Sequence, residues 1–229
     1  MLQRGIWSAI ALFLGSGIAP AQWLNYRAPG TPRTPDGKPN LTAPVPRETN
    51  GKPDLSGVWQ VEPTPAAEMK RLFGDLSPDQ ALGDTPAAFS KYLVNILADI
   101  KPQDSPLRPE FAEILHQRSK MESPLFHCLP IGIPADDLIP GPLKIVDTVG
   151  FNDRTWLDGM GHPHSGGLHV SERFHRRDFG HLDVEVTIDD PQIYTRSFSI
   201  KFTELLQPDS DVTEYFCNEN ERDQTHIGK

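Results

Sequence analysis

The sequence lacks the short signatures around which many catalytic sites are built. Its 229 residues contain no G-x-S-x-G elbow, no G-x-x-x-x-G-K-[ST] phosphate loop, no G-x-G-x-x-G turn and no H-E-x-x-H zinc motif. Serine hydrolases, nucleotide hydrolases and Rossmann dehydrogenases need the first three for their backbone geometry. The sequence therefore favours none of these enzyme classes.

The sequence also has fewer basic than acidic residues. The chain has 22 Lys and Arg against 31 Asp and Glu, which gives a net charge of −9. Its basic residues are scattered, apart from a local group at Arg173, Arg176 and Arg177. Nucleic acid is not an expected partner, because binding phosphates needs clustered cations.

Long apolar runs are confined to the N-terminus. Arg4 precedes an apolar stretch over 6–18, and Ala19-Pro20-Ala21 has the small-x-small pattern of a cleavage site. This pattern predicts a signal peptide over residues 1–21 and export to the periplasm or beyond. A retained membrane anchor fits less well because the run is short and a proline-rich segment follows it. After cleavage we expect no integral membrane segment.

Cysteine is limited to Cys128 and Cys217. An exported chain meets a redox environment that permits disulfides, so we expect these two residues to be bridged. In the chain-entropy model such a bridge would restrict the unfolded chain by about 4–5 kcal/mol. The alternative is a pair of buried free thiols.

Residues 22–54 are rich in Pro, Gly, Asn and Thr and predict an extended arm. The octapeptide DGKPNLTA, which begins at Asp36, returns as NGKPDLSG at Asn50. An Asx-Gly-Lys-Pro unit sets a turn that is followed by an extended segment. The arm precedes a single β-rich domain over residues 55–229, whose first strand is predicted within 55–61.

Residues 64–122 predict a helical cover for this domain. Thr85-Pro86 is typical of a helix start, and the apolar spacing after it predicts a helix that ends at Lys101-Pro102. Shorter helices are predicted over 109–120 and 66–73.

From Lys144 the apolar period changes to two, which predicts an antiparallel β-meander over 144–217. The fold class is therefore mainly β with an α-helical N-terminal part. The meander is expected to form a lipocalin-like barrel or an incomplete curved sheet. The predicted strands cover residues 145–151, 168–175, 182–188, 198–202 and 212–217.

Four stretches of the chain contain distinctive motifs: NGKPDLSGVWQ at 50–60, CLPIGIP at 128–134, a segment beginning VDTVGFND at 146–195, and EYFCNEN at 214–220. Together they resemble a family of uncharacterised secreted bacterial proteins. The resemblance implies export and a β-rich fold, and it implies no particular reaction. That family has further strands at the point where residues 142–145 here run directly into 146–148, so the resemblance also implies a shortened barrel.

Several histidines and one glutamate fall within residues 159–175, and their roles are open. His162, His164 and His169 would supply three nitrogen ligands to a divalent metal such as zinc. The alternative is that His169 lies with His175 on the solvent side of a strand, where Asp183 and Glu185 are cross-strand partners.

Strand alternation points some carboxylates toward apolar neighbours. Glu172, Glu204, Glu214 and Asp147 all share the parity of apolar residues in their strands. A carboxylate that faces an apolar interior needs a partner, or it keeps its proton with a raised pKa. We therefore predict a polar pocket around Asp147, Glu172 and His164. The alternative is structural ion pairing with one of three arginines: Arg154, Arg173 or Arg196.

The leading hypothesis is an exported, β-barrel-like protein that binds a small, partly apolar ligand in this pocket. The rival is a hydrolase, lyase or isomerase, with or without a metal ion. In that enzyme His164 or His169 would be the general acid or base, and Asp147 or Glu172 would orient it.

A third hypothesis, suggested by the arm, is an interaction module of the cell envelope. The residues predicted to bind a ligand are Trp156, Asp158 and Arg173.

Overall fold

The computed structural model describes residues 27–74, 90–121, 132–138 and 155–210. The predicted signal peptide, Asp147 and the pair Cys128 and Cys217 lie outside the described residues. The strands predicted at 145–151 and 212–217 lie outside them as well. None of the helices in the described ranges is long and apolar enough to cross a membrane.

Four strands form one antiparallel sheet in the order β1-β4-β3-β2. The meander predicted from the two-residue period is confirmed for β2 to β4, which follow one another in the chain and pair in sequence. β1 adds to the free side of β4. The four described strands form an open sheet whose edges are β1 and β2. Their bounds are Trp59–Val61 for β1, His169–Arg176 for β2, His181–Asp189 for β3 and Phe198–Leu206 for β4.

The helices of the described residues are short. Helix α1 (Ala66–Phe73) occupies the predicted range, and α3 (Ala112–Arg118) follows a 3₁₀ turn at Pro109–Phe111 as expected. The helix predicted to run to Lys101 is much shorter in the structure. In its described part only Lys91–Val94 is α-helical, and this segment is α2. Further 3₁₀ turns lie at Pro102–Asp104 and Asp136–Leu138. The described helices therefore do not add up to a continuous helical cover.

A distant loop explains why α2 ends so early. The carbonyls of Leu93 and Val94 accept hydrogen bonds from the amides of Gly159 (2.7 Å) and Met160 (3.1 Å). Those carbonyls are at the C-terminal end of the helix, where they have no partner within it. Tertiary hydrogen bonds thus override the apolar spacing that favoured a longer helix.

One face of the sheet is apolar and forms the core. Inward side chains of β3 are almost completely buried, whereas those of β2 are only half-buried, apart from Arg176 at its end. Residues of α2 and of the loops pack onto the same face, because Tyr92, Ile96 and Leu157 belong to its hydrophobic cluster. The half-buried edge at β2 is where this face is most accessible.

The repeat in the arm folds into two copies of one turn. Gly37 and Gly51 adopt left-handed φ values of +83° and +82°, which glycine tolerates best. Equivalent backbone hydrogen bonds close both turns, and Arg33 and Arg47 each donate to the carbonyl of the glycine in their own turn. The duplicated sequence is therefore a duplicated structure.

The described part of the arm is fixed to the end of the sheet. Arg33 binds Asp209, just beyond β4, through two hydrogen bonds of 2.7 and 3.1 Å. The amide of Gly180 donates to Leu41 (2.7 Å) in the same region, and the amide of Phe179 donates to Ala43 (2.8 Å). The arm thus packs against the turn between β2 and β3.

We expect Arg33→Ala to loosen the arm, because it removes the bidentate ion pair with Asp209. Limited proteolysis should cut the arm faster in this variant, and its melting temperature should fall. Arg47→Ala is the matched control: Arg47 lies at the same place in the second turn and is exposed, with no acidic partner among the described residues. Equal protection of the arm in both variants would contradict the role given to Arg33.

Candidate functional site

The histidine loop, residues 155–168, is organised by a buried aspartate. The side chain of Asp158 is 0% exposed, and its Oδ2 atom accepts hydrogen bonds from Nδ1 of His162 (2.5 Å) and the amide of Ile96 (2.6 Å). Its Oδ1 atom accepts from the amides of Gly161 (3.0 Å) and His162 (3.1 Å). Four donors occupy the carboxylate, so Asp158 holds the loop and has little capacity left for a ligand.

His164 is likewise engaged within the loop. Its Nδ1 atom lies 3.1 Å from the carbonyl of Ser165 and its Nε2 atom lies 2.7 Å from Oγ1 of Thr155. Because a carbonyl only accepts, Nδ1 must hold the proton, and Nε2 of the neutral ring then accepts from the threonine hydroxyl. Both ring nitrogens are therefore used by the protein itself.

A second buried aspartate holds the end of the loop. Asp190 accepts hydrogen bonds from the amide of Ser165 (2.6 Å) and from its hydroxyl (2.9 Å). The buried hydroxyl of Tyr194 donates to the carbonyl of Pro163 (2.9 Å). These contacts give the histidine loop a structural explanation that requires no ligand.

The other predicted site residues do not converge on this loop. His169 and Arg173 are exposed on the outer face of β2, where Arg173 lies opposite Glu185. Trp156 is buried and packs under the guanidinium of Arg118. The structure thus separates His169 from the buried His162 and His164. Among the described residues no group of three or more His, Cys, Asp and Glu could hold a metal ion, so the predicted zinc ligands are not assembled.

The outer face of the sheet agrees with the alternative interpretation, in which His169 and His175 lie on the solvent side of a strand. His175 lies opposite Asp183, with 3.6 Å between Nδ1 and Oδ2, and Arg177 approaches the same carboxylate at 3.1 Å. Glu185 pairs with Lys201 at 3.2 Å. These are ordinary polar contacts at an exposed surface.

The inward face has two glutamates that form no such ion pair with any described residue. Glu204 is 1% exposed, and its Oε2 atom is buried without a hydrogen-bond partner. The Oε1 atom of Glu172 is also buried without a partner. Neither of the arginines proposed as partners and described here supplies one: Arg173 faces outward, and Arg196 donates to the carbonyl of Asp104. The expected ion pairs are thus not formed by these residues.

Strand register places an apolar row between the two glutamates. Glu172 lies opposite Val186, and Glu204 lies opposite Leu182. The intervening row consists of Phe174, Val184 and Phe202, and both phenylalanines are only partly buried. We call these five inward residues the acidic face: Glu172, Phe174, Val184, Phe202 and Glu204.

Arg176 shares the inward parity but does not neutralise the acidic face. It lies opposite Leu182, in the same row as Glu204. Its guanidinium donates instead to four backbone carbonyls, two just before β1 and two in the β2–β3 turn, at distances of 2.5 to 3.4 Å. Burial lowers the pKa of Arg176, and nearby carboxylates oppose that shift. The four carbonyls belong to Asp54, Ser56, Asp178 and Phe179.

Burial changes the protonation of Glu204. Desolvation is the main cause and the negative charge of Glu172 the second, and together they raise the pKa of Glu204 from 4.5 to about 7. A carboxyl group with this pKa exists in both forms near neutral pH. Glu204 is therefore able either to meet a positive charge or to exchange a proton.

A cleft of about 890 Å³ lies between the arm and the end of the sheet. Its volume falls within the usual range of ligand pockets. Arg176 contributes to its wall, but most donors of that guanidinium are already bound to carbonyls. The side chains that line the cleft include Glu48, Leu55, Val58, Arg176, Phe179 and Leu206.

Sequence reasoning named both glutamates but missed Arg176 and the cleft. The signal for Arg176 was present, since it continues the inward parity of Val170, Glu172 and Phe174 along β2. The cleft had no local signal, because it arises only when the arm folds onto the sheet.

Comparisons with known proteins found no match. No family model matches the chain, and the searches of curated proteins and of solved structures returned none either.

We expect Asp158→Asn to destabilise the fold by about 3 kcal/mol, because an amide group cannot accept all four hydrogen bonds and leaves buried donors unpaired. Unfolding in urea, followed by circular dichroism, measures this change. The matched control is Asp189→Asn at the exposed end of β3, which should alter stability by less than about 0.5 kcal/mol. Similar losses in both variants would contradict the role assigned to Asp158.

The raised pKa of Glu204 predicts a pH-dependent stability. The folded state keeps this proton up to about pH 7, whereas the unfolded chain releases it near 4.5. The contribution is therefore fully present below pH 4.5 and is lost as pH rises to 7, a decrease of about 3 kcal/mol at ~1.4 kcal/mol per unit. Urea unfolding between pH 4.5 and 8 measures it.

In Glu204→Gln this step, the fall in unfolding free energy between pH 4.5 and 7, should disappear. The variant should therefore be more stable than the wild type at pH 8. The difference between the two proteins isolates Glu204 from other titrating groups. Glu185→Gln, on the outer face, should keep the step. An unchanged step in Glu204→Gln would show that the pKa of Glu204 is not raised in the folded protein.

Proposed function

We propose that this protein binds a small, partly apolar ligand on the acidic face. The observation that supports this best is the pair of carboxylates, Glu172 and Glu204, which have buried oxygens without partners. Native proteins pair almost all of their buried polar atoms. An unpaired atom of this kind marks a place where a ligand group would complete the structure.

The surroundings of the two glutamates account for the apolar part of the ligand. Phe174 and Phe202 lie between them and are partly exposed, so a ligand on this row would bury apolar surface. Burial of apolar area contributes about 25 cal/mol per Å². Predominantly apolar surroundings with a few polar groups are typical of small-molecule sites.

Export is part of the same proposal. It is supported by the signal-peptide pattern over residues 1–21 and by the resemblance to secreted bacterial proteins. Export would permit the bridge between Cys128 and Cys217. A lipocalin-like barrel would enclose the acidic face more fully than the open sheet of the four described strands. The envelope interaction module remains the function suggested by the arm.

Acid–base catalysis is the second candidate function, and Glu204 is the observation that favours it. Its pKa of about 7 suits a general acid or base at neutral pH. The enzyme would then depend on Glu204 and Glu172 rather than on His164, whose ring nitrogens are both occupied. Conversion of a bound ligand to a product would distinguish this enzyme from a binding protein.

We expect a panel of lipids, aromatic compounds and sugars to contain members that raise the melting temperature of the purified full chain, because binding to the native state stabilises it. The gain should shrink in Glu172→Gln, which changes the acidic face. It should persist in Glu185→Gln on the outer face and in Glu48→Gln in the cleft. Thermal-shift measurements with ligand-detected NMR follow both binding and conversion.

Two outcomes would contradict the proposal. One is that no member of the panel stabilises the protein. The other is that stabilisation survives Glu172→Gln but is lost in Glu48→Gln, which would place the ligand in the cleft.

A further inference from the structure

We infer that the ligand of the acidic face is an organic cation: a protonated amine attached to a small apolar body. This inference rests on the proposed function and adds the charge of the ligand. It follows from the positions of the charged groups on the inward face and of the aromatic rings between them.

Charge complementarity is the first argument. Among the inward-facing residues of the four described strands, Glu172 and Glu204 are the acids and Arg176 is the base. The guanidinium of Arg176 is directed to backbone carbonyls and makes no contact with either glutamate. Within the described part of the chain the charge of these carboxylates is therefore not compensated, and a ligand cation would supply the missing charge.

The unpartnered oxygens are the second argument. An ionised carboxylate only accepts hydrogen bonds, so its partner must be a donor. An ammonium group has three donors and a full positive charge, which allows it to satisfy such an oxygen. A neutral alcohol offers one donor and no charge, and a carboxylate ligand would add a further negative charge.

The aromatic row is the third argument. Phe174 and Phe202 lie in the row between the glutamates, on either side of Val184. Phenylalanine faces attract cations and also pack against apolar groups. Along the strands the two glutamates are four residues apart in register, about 13 Å, and two strand spacings, about 10 Å, separate them laterally. The apolar part of such a ligand would lie against the partly exposed phenylalanines of this row.

A metal ion is a less suitable occupant. Divalent cations in proteins usually have several oxygen or nitrogen ligands from the protein. The described residues offer no group of three or more His, Cys, Asp and Glu that could hold one. Two carboxylates beside phenylalanine rings match an organic cation better.

Three probes of similar size and different charge test the inference: 2-phenylethylammonium, 2-phenylethanol and 3-phenylpropionate. Titration of the full chain at pH 8, followed by calorimetry and NMR, gives their affinities. We expect the ammonium compound to bind at least tenfold more tightly than the alcohol, and the carboxylate to bind most weakly. Glu172→Gln should weaken the ammonium compound several-fold and leave the alcohol unchanged.

Glu204→Gln should also weaken the binding of 2-phenylethylammonium, while Glu185→Gln should change none of the affinities. Equal binding of the ammonium compound and the alcohol would overturn the inference and leave the proposed ligand-binding function standing. Binding of none of the three probes would also overturn it, and the broader ligand panel then decides the proposed function independently. Loss of ammonium binding in Glu185→Gln alone would place the charge selection on the outer face.

Discussion

The hydrogen-bonded register of β2, β3 and β4 is the constraint on which the rest of the structure depends. It directs alternate side chains to opposite faces, so Val184 and Ile200 enter the core while Glu185 and Lys201 pair outside. The same rule directs Glu204 inward. A slip by one residue would exchange the two faces, burying the ion pair and exposing the valine. Burial of one acid is thus a consequence of a register fixed by many apolar residues.

Buried carboxylates in this protein fall into two groups, and backbone geometry explains the difference. Asp158 and Asp190 lie in loops, where amide groups are free to turn toward them and supply donors. Glu204 lies in a strand whose amides are used by the sheet, so the local backbone has no donor for its side chain. The loop aspartates hold segments together, while Glu204 and Glu172 each keep one buried oxygen without a hydrogen-bond partner.

Features with local causes could be predicted from the sequence, and features with distant causes could not. The alternation of β2 to β4, the bounds of α1 and the inward parity of Glu204 follow from neighbouring residues. The end of α2 at Val94 depends on amides more than sixty positions later. The histidine loop suggested a metal or catalytic site because residue types alone do not show that Asp158 and Thr155 occupy the ring nitrogens.

Packing of the N-terminal segment against the sheet also affects the charge of the acidic face. Arg176 and Glu204 both lie opposite Leu182, so their Cα atoms are about 10 Å apart, two strand spacings. An extended arginine side chain could cross that distance and neutralise the glutamate. The carbonyls of Asp54 and Ser56 hold the guanidinium at the end of the sheet instead. The carbonyls of Asp178 and Phe179, in the β2–β3 turn, hold it there as well. Within the described residues Glu204 therefore has no counter-charge from Arg176, and the contacts of the folded N-terminal turns contribute to that arrangement.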